Sequence, residues 1–397
     1  MVTYKSTVDR IYQYLFIAAF FLLPLTVVGN NIVIWLIALL WLFSGDYSNK
    51  LQKIKNNKLA LASIVFFCIH ILGLLWTENI EWGLEILRKM LPFLFILPIF
   101  LTITRKENAK YYVSAFLIAI TISEFLSYLI WFGIIEPFGS ASVSNPTPLI
   151  NHVSYNPFLA FAIYLVIHFL LTKKNLSQFQ RAGYTFFVLT MTINMFITGG
   201  RAGQVMFFVF IVILAFQYFK NSQIKAIITS IVLGVSISLI AYNTSTIFKE
   251  RVDLAAQDVI NYESNKKTAV GYRIAFVINS LELVKKSPLH GVGTGDFPDE
   301  YSKVNQKLTP GLTETVQPHN MYMLILAQLG LIGFISFMSM FYFQFKIALT
   351  SDINFVHNVG VAIPLLFLTI MWSDSYLLGH FTSYLYILFS SFIYGSR

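Results

Sequence analysis

The sequence predicts an all-α polytopic membrane protein, with about twelve transmembrane helices and one large outward-facing loop between helices nine and ten. Three observations predict it. Of the 397 residues, 56% are hydrophobic and only 12% charged, where a soluble domain carries about a quarter charged residues. Apolar runs near the length of a hydrocarbon core recur along the whole chain. Lys and Arg concentrate on one side of those runs.

A spanning helix needs about 20 mostly apolar residues, and in lipid only a helix satisfies the backbone of such a run. Twelve segments qualify: 11–28, 30–44, 58–76, 90–104, 110–136, 149–171, 183–198, 202–220, 223–241, 319–348, 354–372 and 377–394. The first lacks a small-residue cleavage site and runs straight into the second, so it reads as a retained helix and not a signal peptide. Residues 1–397 thus read as a single integral membrane domain, with 242–318 packed over the mouth of the bundle.

With the N-terminus taken as cytoplasmic, sixteen cations fall in inward segments, among them Lys5, Lys50, Lys53, Lys173, Lys220 and Arg397. Three fall in short outward loops: Arg88, Lys89 and Arg201. The other nine lie in 242–318, where nine acidic residues balance them. The net charge of +9 is therefore mostly a positive-inside signature with both termini inward, and it calls for no nucleic-acid partner. The single cysteine, Cys68, excludes an internal disulfide. Within the loop, "KTAVGYRIAFVINSLELVKK" (267–286) has apolar residues at helical spacing and reads as an amphipathic helix. "SPLHGVGTGDFPDEY" follows as a turn-rich stretch, without the strand–turn–helix context of a phosphate-binding glycine loop.

The outward arginines break the charge rule. Arg201 sits in "FITGGRAGQVMFF", flanked by Gly199, Gly200 and Gly203 at the start of a span. It reads either as an anion site, with glycines admitting a ligand to backbone N–H groups, or as an arginine snorkelling to headgroups. Arg88 and Lys89, in "EWGLEILRKMLPF", have Glu78, Glu81 and Glu85 as helical-spacing partners, so Arg88 is either paired or cavity-facing. Arg273 lies on the amphipathic helix among apolar neighbours, and Arg251 reads as a solvated charge.

His319, in "QPHNMYML", is the outer-side histidine that follows a proline, precedes Asn320 and stands in the first turn of a long helix. It reads either as an interfacial side chain or as a general base, since a helix N-terminus disfavours imidazolium. A base together with outward arginines suits one chemistry. Arginines clamp a pyrophosphate leaving group, and the base deprotonates an acceptor hydroxyl for attack on the carbon that bears it. No outward Asp-x-Asp sugar-nucleotide motif and no His/Cys metal spacing accompany them.

Three motifs in this order resemble the O-antigen ligase and polymerase superfamily: "GGRAG" at a span start, "GYRIAFVINSLELVKKSPLHGVGTGDF" in the outer loop and "PHNMYMLILAQLGLIG" opening the next span. The resemblance implies a metal-independent inverting glycosyltransferase that uses no cofactor. It implies a multi-pass protein of the bacterial inner membrane, with the active site and the 242–318 loop periplasmic. By it, Arg201 and Arg273 bind undecaprenyl pyrophosphate, Arg88 is a third phosphate contact, and His319 activates the acceptor hydroxyl. The implied partners are an undecaprenyl-pyrophosphate-linked glycan and an acceptor, within membrane lipids. A ligase acts on lipid A–core and a polymerase on a lipid-linked repeat unit; the one dominant outer loop favours the ligase. A transporter or flippase is the reading from a different class, resting on the intramembrane acids Glu124 and Asp374.

Overall fold

The computed structural model describes the backbone of residues 2–395 and the side chains of residues 7–395. Arg397 and the Lys5 side chain, counted above with the inward cations, lie outside the described residues. The first six helices are α1 (Val2–Leu22), α2 (Val27–Phe43), α3 (Tyr47–Asn56), α4 (Lys58–Gly73), α5 (Ile80–Leu94) and α6 (Ile96–Ile103). Then come α7 (Ala109–Trp131), α8 (His152–Thr172), α9 (Gln178–Ile197), α10 (Arg201–Tyr218) and α11 (Gln223–Thr244). The segment 242–318 carries α12 (Thr246–Ile260), α13 (Ala269–Lys286) and α14 (Phe297–Leu308). The last three are α15 (Met321–Leu349), α16 (Asn354–Ile370) and α17 (His380–Ile393).

A helix runs through each of the twelve apolar segments, and no strand is present among the described residues. Seven stretches are long and apolar enough to cross a bilayer, or eight if α2 and α3, bent by 118°, count as one. The chain is an all-helical polytopic membrane protein.

Two elements differ from their sequence reading. Arg88 and Lys89 are not in a loop: they lie inside α5, which with α6 forms the apolar stretch Ile80–Ile103. Asn79 starts α5 early by accepting the Trp82 N–H at 3.0 Å, and Glu85 pairs with Arg88 and Lys89 along the helix. The turn-rich stretch is also shorter than expected, because α14 begins at Phe297.

The chain groups into two compact units. The first takes the chain up to Leu15, Val33–Ala109 and everything from Ala255 on. Its core is a run of rings: Phe66 meets Phe337 at 5.5 Å, and Tyr386 meets Phe93, Phe341 and Phe367 at 5.1–5.9 Å. In the same unit α15 breaks at Gly330 (φ 59°, ψ −159°) and takes the turn-rich loop into the break. Val292 and Gly293 donate to the Ala327 and Gln328 carbonyls, while Leu331 and Ile332 donate to Pro288 and Leu289. The loop thereby satisfies groups that a continuous helix would have satisfied itself, as an apolar setting demands.

The second unit is Phe16–Ile32 with Lys110–Leu254. Its tightest packing sets α10 against α8, where a Cβ on Gly200 or Gly203 would overlap Asn156. Phe161, Tyr164 and Phe210 stack beside that contact at 4.7–6.0 Å.

Candidate active site

His319 stands just before α15, not in its first turn. Asn320 is the cap, accepting the Met323 N–H at 3.1 Å. His319 holds a left-handed backbone (φ 48°), a conformation that costs a residue other than glycine about 1–2 kcal/mol. Asn320 also donates to the Trp372 carbonyl at 3.3 Å, and the Met321 N–H to Met371 at 3.0 Å. These bonds fasten the link between α16 and α17 to the start of α15.

That link carries Asp374. Its Oδ1 lies 3.1 Å from His319 Nδ1, and both side chains are partly open to solvent. The same oxygen accepts the Ser375 N–H at 2.8 Å, which aims the carboxylate. With Asp374 accepting from Nδ1–H, the other ring nitrogen, Nε2, carries the lone pair that takes a proton. The imidazole lies along Phe276 of α13, centroids 5.9 Å apart and planes 27° apart. Arg273, three residues earlier, shares that face of α13.

Arg273 makes no ion pair among the described residues, and its charge reaches Tyr376, two residues past Asp374. Burial holds the Tyr376 phenol well above its ordinary value; the Asp374 charge adds to this and the Arg273 charge works against it. One unit thus assembles a histidine, an orienting carboxylate and an arginine that makes no ion pair among the described residues.

In the other unit, Arg201 is the first residue of α10. The glycines beside it serve packing more than ligand approach. Gly199 donates its N–H to Asn145 Oδ1 at 2.8 Å, and Gly200 and Gly203 admit Asn156. Asn156 is fully buried, donates to the Gly200 carbonyl at 3.2 Å and accepts from the Thr198 hydroxyl at 2.8 Å. It therefore fixes the turn that starts α10. Arg88 is exposed on α5, with Nε and Nη2 each 2.8 Å from an oxygen of Glu85. The paired reading of Arg88 is the one its geometry supports.

Residues 186–338 match the family described as O-antigen ligase. The chain carries an O-antigen ligase domain. That domain includes Arg201, Arg273 and His319, while Arg88 and Asp374 lie outside it. A protein of Haemophilus influenzae, described as uncharacterized, is 27% identical over 208 residues, which are 50% of this chain and 49% of that protein. The chain spans about half the length of the curated relative it matches.

Sequence reading missed Asp374 as a member of the site and noted it only as an intramembrane acid. It lies 55 residues beyond His319 and outside the O-antigen ligase domain, so no local spacing links the two. A signal was present in "MWSDSY": an acid in a short polar break between two apolar runs, on the side where the His319 helix starts.

Proposed function

We propose that the protein is an O-antigen ligase-like glycosyltransferase. It moves a glycan from undecaprenyl pyrophosphate to a hydroxyl of lipid A–core at the periplasmic face of the bacterial inner membrane. On the proposed topology of twelve spans with both termini cytoplasmic, which the charge asymmetry supports, the 242–318 segment and His319 fall on that face.

The observation that carries the reading is the His319–Asp374 pair near Arg273, which makes no ion pair among the described residues. In the reaction, the acceptor oxygen attacks the anomeric carbon and its proton passes to His319 Nε2. The bond from that carbon to the pyrophosphate oxygen breaks, and the electron pair leaves with undecaprenyl pyrophosphate. Attack opposite the leaving group inverts the anomeric centre. Arg273 faces the developing phosphate charge, a task for which its planar fork is suited. Because arginine meets that charge, the reading needs no metal ion. Arg201 is a further phosphate contact by family resemblance, whereas Arg88, held by Glu85, is left out of this reading.

His319→Ala is expected to abolish transfer from a lipid-linked donor while leaving expression and membrane insertion intact. Full transfer by that variant would sink the assignment. Polymerisation onto another lipid-linked repeat unit is the second reading within the superfamily. Supplying each acceptor to the purified protein separates the two.

A further inference from the structure

Arg251, on α12, is a cation that the site above leaves unused. Its Nη2 lies 3.2 Å from where a Cβ on Gly199 would stand, so the guanidinium rests against the turn that leads into Arg201. Its charge also reaches His152, the first residue of α8, whose carbonyl borders Gly200. Arg251 and the His152 backbone therefore both border the turn from which Arg201 starts α10. Arg251 makes no ion pair among the described residues, although Glu250 and Asp253 are close in sequence. Neighbours one and two positions away do not face each other on a helix, and Asp253 is held by the Tyr242 hydroxyl at 2.8 Å.

Directly along the same helix face is an apolar cavity. Ile247, one turn before Arg251, lines it together with Trp131, Ile193, Phe196, Phe207 and Ala241, and its volume is about 640 Å³. Thr244, Ser245 and Thr246, which lead into Ile247, add polar side chains to the cavity lining. Phe207 lies six residues into α10, about 9 Å along the axis from Arg201. Arg251 on α12 and Arg201 on α10 thus stand one to two helical turns from residues that line the chamber, a spacing that suits a ligand with an anionic head and a long hydrocarbon chain. A fully solvated arginine would not rest against Gly199 as this one does.

We propose that Arg251 is a further contact to the diphosphate of a polyprenyl-diphosphate lipid, held with Arg201 at the rim of the cavity that takes the first isoprene units of its chain. This rests on the lipid-diphosphate donor of the proposed function and adds to it a residue and a place for the chain.

The test is saturable binding of labelled undecaprenyl diphosphate to the full chain in nanodiscs of phosphatidylethanolamine and phosphatidylglycerol. Loss of a charge-assisted contact predicts about ten- to a hundredfold weaker binding for Arg251→Ala. Arg251→Lys, which keeps the charge but not the fork, is expected to fall between, at wild-type thermal stability. Glu250→Ala is expected to bind as wild type does. Ala241→Phe, which fills the chamber, is expected to weaken binding as well, and unchanged binding there would overturn the placement of the chain. Undiminished binding by both Arg251 variants, with Arg201→Ala weakened, would overturn the inference and leave the donor reading standing. No saturable binding by the wild type would instead remove the donor reading, and this inference with it.

Discussion

A histidine in a left-handed backbone conformation persists only where its surroundings hold it, and at 319 they do. Pro318 precedes it, Asn320 caps α15 behind it, and Asp374 fixes its ring. Two substitutions separate backbone from chemistry. Asparagine tolerates positive φ better than most residues but is no base, so His319→Asn is expected to fold and insert normally while transfer falls on the order of 10²–10⁴-fold. Asp374→Asn leaves a side chain of the same shape that no longer holds Nδ1–H as a carboxylate does. A loss of similar order in kcat is expected, with donor binding unchanged. Arg273→Lys is expected to raise KM for the donor and Arg273→Ala to raise it further, as read from initial rates against donor concentration. At this scale the sequence was partly legible. His319 and Arg273 stood out because each is unusual where it stands. The contacts of Asp374 with Nδ1 of a residue 55 positions away and of Arg251 with the Gly199 turn were not legible, because no local spacing records them.

Elements carry the next layer, and α15 is the clearest of them. A 29-residue helix tolerates a break at Gly330 only because the loop 288–293 completes its hydrogen bonding. At positive φ and against the Leu289 backbone, Gly330→Ala is expected to cost more than about 2 kcal/mol, read as a lowered unfolding midpoint in detergent. Gly291→Ala, which meets Gln328 from the loop side, is expected to behave alike. The α13–α14 pair makes a pH prediction. Burial pushes the Tyr301 phenol up to about 12, with the hydrogen bond from Asn279 working the other way. A phenol raised in the folded state contributes stability that is present below its unfolded value of about 10 and lost as pH rises through the folded one. Stability should thus decline between pH 10 and 12, and Tyr301→Phe should flatten that decline. The helices of the twelve apolar segments were legible from apolar length and α13 from its spacing, whereas the polar α3, α12 and α14 were not. What misled was α5, where charged residues at the edge of an apolar run looked like a loop although Glu85, Arg88 and Lys89 are spaced to support a helix. The inserted loop was invisible for another reason: its partners are backbone groups of α15, which no side-chain pattern records.

The chain as a whole is all-helical and polytopic and carries an O-antigen ligase domain, and orientation and reaction are what is proposed for it. Orientation is checked by replacing Cys68 with serine and placing single cysteines at Lys285 and Lys174. The first is expected to react with a membrane-impermeant thiol reagent from the periplasmic side and the second only after the membrane is opened. Transport is a weaker reading once Asp374 has His319 as its partner, although Glu124 in α7 retains a buried oxygen without one. The most direct test supplies purified protein in vesicles with an undecaprenyl-pyrophosphate-linked glycan and lipid A–core, and follows the glycan. Glycan on lipid A–core with release of undecaprenyl pyrophosphate is expected, and neither product from His319→Asn at equal protein level. Transfer by His319→Asn at the wild-type rate, or donor movement across the membrane without any transfer, would contradict the proposed reaction.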